Sequence, residues 1–223
     1  MKRRFSPWHI KTTVATLFAL VLVLTPIAVF AAKVGTEFTA NVFAVLIDPG
    51  EVKFVLHGTD GKLLQITNDE IIVGTVVGVD GWPELAGADI LVEHDSKVVY
   101  DPLTGEFTNG KAKEKVELSL NGERVFSGKS KAVLFGQIDP TPCAYPGEFK
   151  GQITDVGTIK LNKGYGDFKD QTAKGDWTAV LNAVCGDPGI GFLIPLLAGN
   201  ATIDGLHFVP DHDDDDDDHE DDE

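Results

Sequence analysis

The sequence predicts an all-β domain, a single antiparallel barrel or sandwich, on three observations. Short runs of Val, Ile, Leu, Phe and Thr recur along the body. No stretch sustains the 3.6-residue apolar period of a helix. Gly, Asp, Asn and Pro clusters fall between the runs, where strands must turn.

The elements follow in chain order. Candidate strands are Glu37–Ile47, Glu51–His57, Lys62–Thr67, Glu70–Val79, Asp89–Glu93, Lys97–Asp101 and Lys115–Leu120 in the first half. Arg124–Gly128, Lys131–Ile138, Glu148–Thr154, Gly157–Leu161, Asp176–Val184 and Thr202–Val209 complete the set. Asn121-Gly122 supplies two residues suited to positive φ, as a type I′ hairpin requires, and sets Ser119 opposite Arg124 and Leu118 opposite Val125. Asp60-Gly61, Asp80-Gly81, Asn109-Gly110 and the two Asp-Pro-Gly triplets at residues 48–50 and 187–189 are further turn signals. The polar stretch from Pro102 to Lys115 reads as a weak break or a long hairpin loop. A dozen or so such strands suit one domain over residues 32–209.

The two ends differ from this body. Lys2, Arg3, Arg4 and Lys11 precede an apolar run ending in small residues near Ala31, the order of a secretory signal peptide over residues 1–31. The alternative is an uncleaved membrane anchor, since the run approaches the length that spans a bilayer. Either leader implies an exported protein, at the periplasm, cell surface or outside the cell.

At the other end, residues 210–223 hold a tail with eleven carboxylates. Its repulsion and lack of apolar residues predict disorder. The tail is expected to act as a solvating brush and, more weakly, to attract cations, a mineral or a cationic surface; the alternative gives it the main role, in calcium or transition-metal handling. Ca²⁺ suits its crowded oxygens, and Asp213 and Asp218 with His212 and His219 offer ligands to Zn²⁺ or Ni²⁺. No cofactor is otherwise indicated.

The whole chain has 19 basic and 35 acidic residues. With the leader's four bases and the tail's eleven acids set aside, the body keeps 15 against 24. A nucleic-acid partner is excluded by that sign, because phosphate binding depends on Lys and Arg. The only cysteines, Cys143 and Cys185, lie beside Pro and Gly. In an exported chain an even count without C-x-x-C spacing predicts a disulfide, contributing roughly 4 kcal/mol by restricting the unfolded chain.

Catalytic motifs are absent from the sequence. Phe126–Ser130 ends in Gly-Lys-Ser, but Glu123 stands where a phosphate-binding loop needs glycine, and the segment sits in a hairpin. There is no G-x-S-x-G elbow, H-E-x-x-H pair or EF-hand loop. His57, His94 and His207 are expected as surface or satisfied core residues, and Glu93-His94-Asp95 as a solvated strand end. The adjacent Asp69 and Glu70 do not make an acid–base pair, since neighbours in a strand point to opposite faces. The residues thus favour a non-enzymatic binding or surface-interaction module. Trp82, Tyr145, Phe168 and Trp177 are the candidates to line a cavity for a small apolar ligand, against the commoner use of such residues in core packing. Ile190–Gly199 is too short to span a membrane and reads as a buried crossing or an apolar lip.

Between Val156 and Leu181, Gly164, Gly166 and Phe168 are followed by Gly175 and Trp177. This Gly/aromatic pattern resembles exported β-barrels of the allene oxide cyclase and lipocalin-like kind over about 25 residues. The resemblance implies a barrel with Phe168 and Trp177 near the cavity wall, and carries over no catalytic residue. A lipid-binding or cyclase-like barrel is its functional implication. Oligomeric state and ligand identity have no signal in the sequence.

Overall fold

The computed structural model describes residues 35–185 and 195–210. The leader, most of the tail with its candidate metal ligands, and residues 186–194 lie outside them. Nine strands follow in order: β1 (Thr36–Asp48), β2 (Glu51–His57), β3 (Lys62–Asp80), β4 (Asp89–Tyr100), β5 (Glu106–Leu120), β6 (Glu123–Ile138), β7 (Phe149–Gly164), β8 (Thr172–Cys185) and β9 (Pro195–Phe208). Every pairing is antiparallel. From β3 to β9 each strand pairs with the next, and β1 joins β9 to β3, closing an eight-stranded barrel.

The sequence runs fuse into strands longer than expected. Lys62–Thr67 and Glu70–Val79 become one strand, interrupted by a bulge at Asn68 and Asp69. Asp48-Pro49-Gly50 is a bend and not a reversal, because β1 and β2 run one after the other along the same edge of β3. Gly50 is required there: its φ is +62°, and a Cβ would lie 2.2 Å from the Asn68 carbonyl oxygen. Asn109-Gly110 likewise sits in a β5 bulge, within the polar stretch read as a break. That stretch is strand because its alternation is complete: Gly110, Ala112, Glu114 and Val116 face in while Lys111, Lys113 and Lys115 face water.

Asn121 and Gly122 both adopt positive φ, as the hairpin reading required. Ser119 pairs with Arg124, but Leu118 pairs with Phe126, because a bulge accommodates Val125 as the extra residue. Both Val125 and Phe126 are thereby buried.

One barrel end is closed by side chains. Trp82, in the β3–β4 connection, is 2% exposed. It packs edge-on to Phe38, Phe126 and Phe168 at centroid separations of 5.3, 5.2 and 6.3 Å, and lies flat on His207 at 3.8 Å. At the opposite end, the Cys143–Cys185 disulfide ties the β6–β7 connection to the end of β8. Lys150, buried beneath that connection, donates to Asp139 and Thr141 and pairs with Glu148 at 3.5 Å. Reducing the disulfide is expected to lower stability by about 2–4 kcal/mol, read as a fall in the urea midpoint. An unchanged midpoint would show that the loop contacts alone hold this end.

Candidate site in the barrel lumen

The strand registers bring four polar residues into one row across the inner wall. Glu70 pairs with His94, His94 with Glu114, and Glu114 with Ser130, on β3, β4, β5 and β6 respectively. Antiparallel partners share a face, so one inward residue fixes the others. His94 is 2% exposed. Its Nδ1 lies 3.1 Å from Glu114 Oε1 and its Nε2 3.5 Å from Glu70 Oε2. The expectation of a solvated strand end at Glu93–Asp95 is corrected: Glu93 and Asp95 face water, but the pleat turns His94 between them into the lumen.

Burial disfavours the imidazolium, yet the hydrogen bond it donates to Glu114 and the charges of Glu70, Glu114 and Asp155 outweigh that effect and hold the His94 pKa above its ordinary value. Protonated His94 donates from Nδ1 to Glu114 and forms an ion pair with Glu70 on its Nε2 side. Burial also raises the Glu70 pKa; His94 opposes that effect and Glu114 adds to it.

Asp155, on β7, stands near this row. It is 3% exposed, and its Oδ1 has no hydrogen-bond partner among the described residues. Burial pushes its pKa up to about 7, with His94 opposing and Glu114 and Glu70 reinforcing the rise. Its flanking pair positions, Leu134 on β6 and Ala179 on β8, offer no side-chain donor.

Two cavities meet at Asp155. The one toward Trp82 has a volume of about 110 Å³ and an almost wholly apolar wall that includes Val42, Val76, Ile90, Val116 and Ile203. The other, about 200 Å³ toward the disulfide end, includes Glu70, His94, Thr67, Ser96 and Phe107. Asp155 lines both.

The predicted cavity residues separate. Trp82 and Trp177 line the smaller cavity. Trp177 donates its indole N–H to Ser130 Oγ at 2.8 Å. Gly157 makes room for that ring: a Cβ there would lie 2.8 Å from the indole nitrogen. Phe168 lies among the aromatics of the closed end and is not part of the cavity wall. Tyr145 is 61% exposed in the β6–β7 connection, placed in solvent because that loop runs outside the barrel rim. Of the body histidines, His57 is exposed and His207 is stacked in the closed end.

The reading of the residues missed Glu70, His94, Glu114 and Asp155 as a group. Their signal lay in strand parity: His94, Glu114 and Asp155 alternate with small or apolar inward residues, whereas Glu70 follows a bulge that resets the parity after Thr67. The row does not converge on a single metal position, because His94 meets its two carboxylates through opposite ring nitrogens. Cys143, Glu148 and Cys185 do bring ligand-type atoms together, but the sulfurs are bonded to each other. A scan against protein-family models finds no match to this chain, and a search of curated proteins finds none either.

Proposed function

We propose that the chain is a binding protein that takes a small, largely apolar ligand into the lumen of its barrel. The observation that carries this reading is the junction of an apolar chamber with a polar one at a buried carboxyl whose oxygen has no partner. Small-molecule sites have this character: apolar walls supply affinity and a few fixed polar groups supply orientation. A barrel folded only for its own stability gains nothing from an unpaired buried carboxyl, which costs free energy. The resemblance to lipocalin-like and cyclase-like barrels points the same way. The disulfide supports an oxidising, exported setting.

Titration with 1-hexanol tests the reading, followed by methyl chemical shifts of the full-length protein. The expected result is saturable shifts concentrated at Val76, Ile90, Val116 and Ile203, with outward-facing Val133 unmoved. Ala179→Leu, which places a larger side chain in the smaller chamber, is expected to weaken binding about tenfold or more while the β-sheet signature persists. Shifts scattered over the exterior, or none up to the solubility limit of the probe, would contradict it.

A further inference from the structure

Resting on that lumenal reading, the geometry points to a more specific ligand class: we infer that the lumen receives an amine, its ammonium head on Asp155 and its apolar body in the chamber floored by Trp82. Among the described residues, three carboxyl side chains, Glu70, Glu114 and Asp155, share the middle of the lumen with the His94 imidazole, while the other buried imidazole, His207, is stacked on Trp82 at the closed end. The two ring nitrogens of His94 are already taken by Glu114 and Glu70. Asp155 is left with a buried oxygen and no donor.

The nearest buried cation on the same strand does not serve it. Lys150 is committed to Asp139, Glu148 and Thr141 at the disulfide end. The remaining polar neighbours on the adjoining strands, Ser130 on β6 and Trp177 on β8, are bonded to each other. Among the described residues that line the smaller chamber from β1 and β9, Phe38, Ala40, Val42, Ala44, Ala201 and Ile203 carry no charge. Lys174 on β8, the cation on that chamber's lining, is exposed with its Nζ over the Phe208 ring, and the His94 imidazole is engaged by Glu114 and Glu70. Among the described residues the site therefore presents an excess of acceptors and of negative charge, and Asp155 lacks a donor and a cation of its own.

Ligand classes divide on that imbalance. A carboxylate or phosphate head would enter a field of three acidic groups and lose its hydration without gaining a cation. A neutral alcohol satisfies the orphan oxygen with one hydrogen bond. A protonated amine supplies up to three donors and the missing charge, making a charge-assisted bond in a dry site. The apolar chamber of about 110 Å³ suits a short alkyl or compact ring system as the body.

Ammonium and proton compete for the same oxygen. Asp155 holds its proton up to about pH 7, and the acidic groups facing it, Glu70 and Glu114, reinforce that hold while His94 opposes it. Alkylamines stay protonated well above this range, as lysine does. Uptake of the amine should therefore release a proton below pH 7, and affinity should rise as pH rises through 7.

Calorimetric titration of the full-length protein with hexylamine, 1-hexanol and hexanoate, at pH 6 and pH 8, separates the classes. At pH 8 hexylamine is expected to bind about tenfold or more tightly than 1-hexanol, with hexanoate weakest. At pH 6 the amine's affinity falls several-fold, and its heat varies with the ionisation enthalpy of the buffer. Asp155→Asn is expected to bring amine and alcohol within about twofold of each other. The inference is overturned if alcohol equals amine, if hexanoate is preferred, or if Asp155→Asn keeps the amine's advantage. In those outcomes binding of 1-hexanol still upholds a lumenal site, whereas failure of all three probes removes that site too.

Discussion

Trp82→Ala is expected to lower stability by about 3–5 kcal/mol and the melting temperature by on the order of 10 °C. The indole is the largest side chain of the closed barrel end, 2% exposed, with three aromatic neighbours and the His207 ring stacked on it. Truncation leaves a void that rigid strands on all sides cannot collapse to fill, so the loss includes both transfer and cavity terms. Trp82→Phe should lose less, since it keeps a ring in the stack. A loss below about 1 kcal/mol for the alanine variant, by urea melts, would mean that the aromatics do not form the floor of the lumen.

Asp155→Asn should do the opposite at alkaline pH. The folded-state pKa of Asp155 lies at about 7, above the 3.8 ordinary for the side chain. Between those values the folded protein holds a proton that the unfolded chain has released, so stability falls as pH rises. Three pH units of that imbalance amount to about 4 kcal/mol, as an upper figure, lost between pH 4 and pH 7. Asparagine cannot ionise and escapes the loss, though its own amide donors also need partners. The variant is therefore expected to gain up to about 4 kcal/mol at pH 8 relative to the parent, with little change at pH 4. Glu70 and His94 also have raised values, and the stability each contributes is likewise lost as pH rises, so a shallower slope remains. Urea melts of both proteins across this pH range measure the difference. Parallel pH curves would show that Asp155 ionises as freely folded as unfolded.

The all-β class was legible because it rests on local chemistry, whereas the choice between barrel and sandwich was decided only by the β1–β3 pairing that closes the sheet. The Asn121-Gly122 hairpin required only that two residues tolerate positive φ, and both do. The disulfide was legible from cysteine count and context. Strand lengths were harder. Asp-Pro-Gly at 48–50 and Asn109-Gly110 have turn chemistry, but β-bulges and bends use the same residues, and only the neighbouring strand decides between them. Strand β5 was hidden for another reason. Its inward residues include glycine, alanine and glutamate, so the hydrophobic alternation that marks a half-buried strand was nearly silent, while its regular lysines carried the same period on the outer face.

The lumenal site was the least legible part. Glu70, His94, Glu114 and Asp155 sit on four different strands, and nothing in their spacing along the chain announces a shared interior. Parity alone assigns each to one of two faces, and registers set by bulges decide whether they meet. Aromatic type misled in a similar way: Trp82 and Trp177 line the chamber, while Tyr145 on a loop and Phe168 behind Trp82 do not. Type predicts that an aromatic is useful in a cavity, and only closure of the sheet says which ones reach it.

A lumenal amine site requires above all that Asp155 be a buried, unpaired acceptor that a ligand completes. Carbon-13 NMR of its side-chain carboxyl, titrated from pH 3 to pH 9 with and without hexylamine, measures that state directly. The account predicts a midpoint at about 7 in the free protein and a clear downward displacement when the amine is bound. A midpoint in the ordinary aspartate range, unmoved by hexylamine, would contradict it.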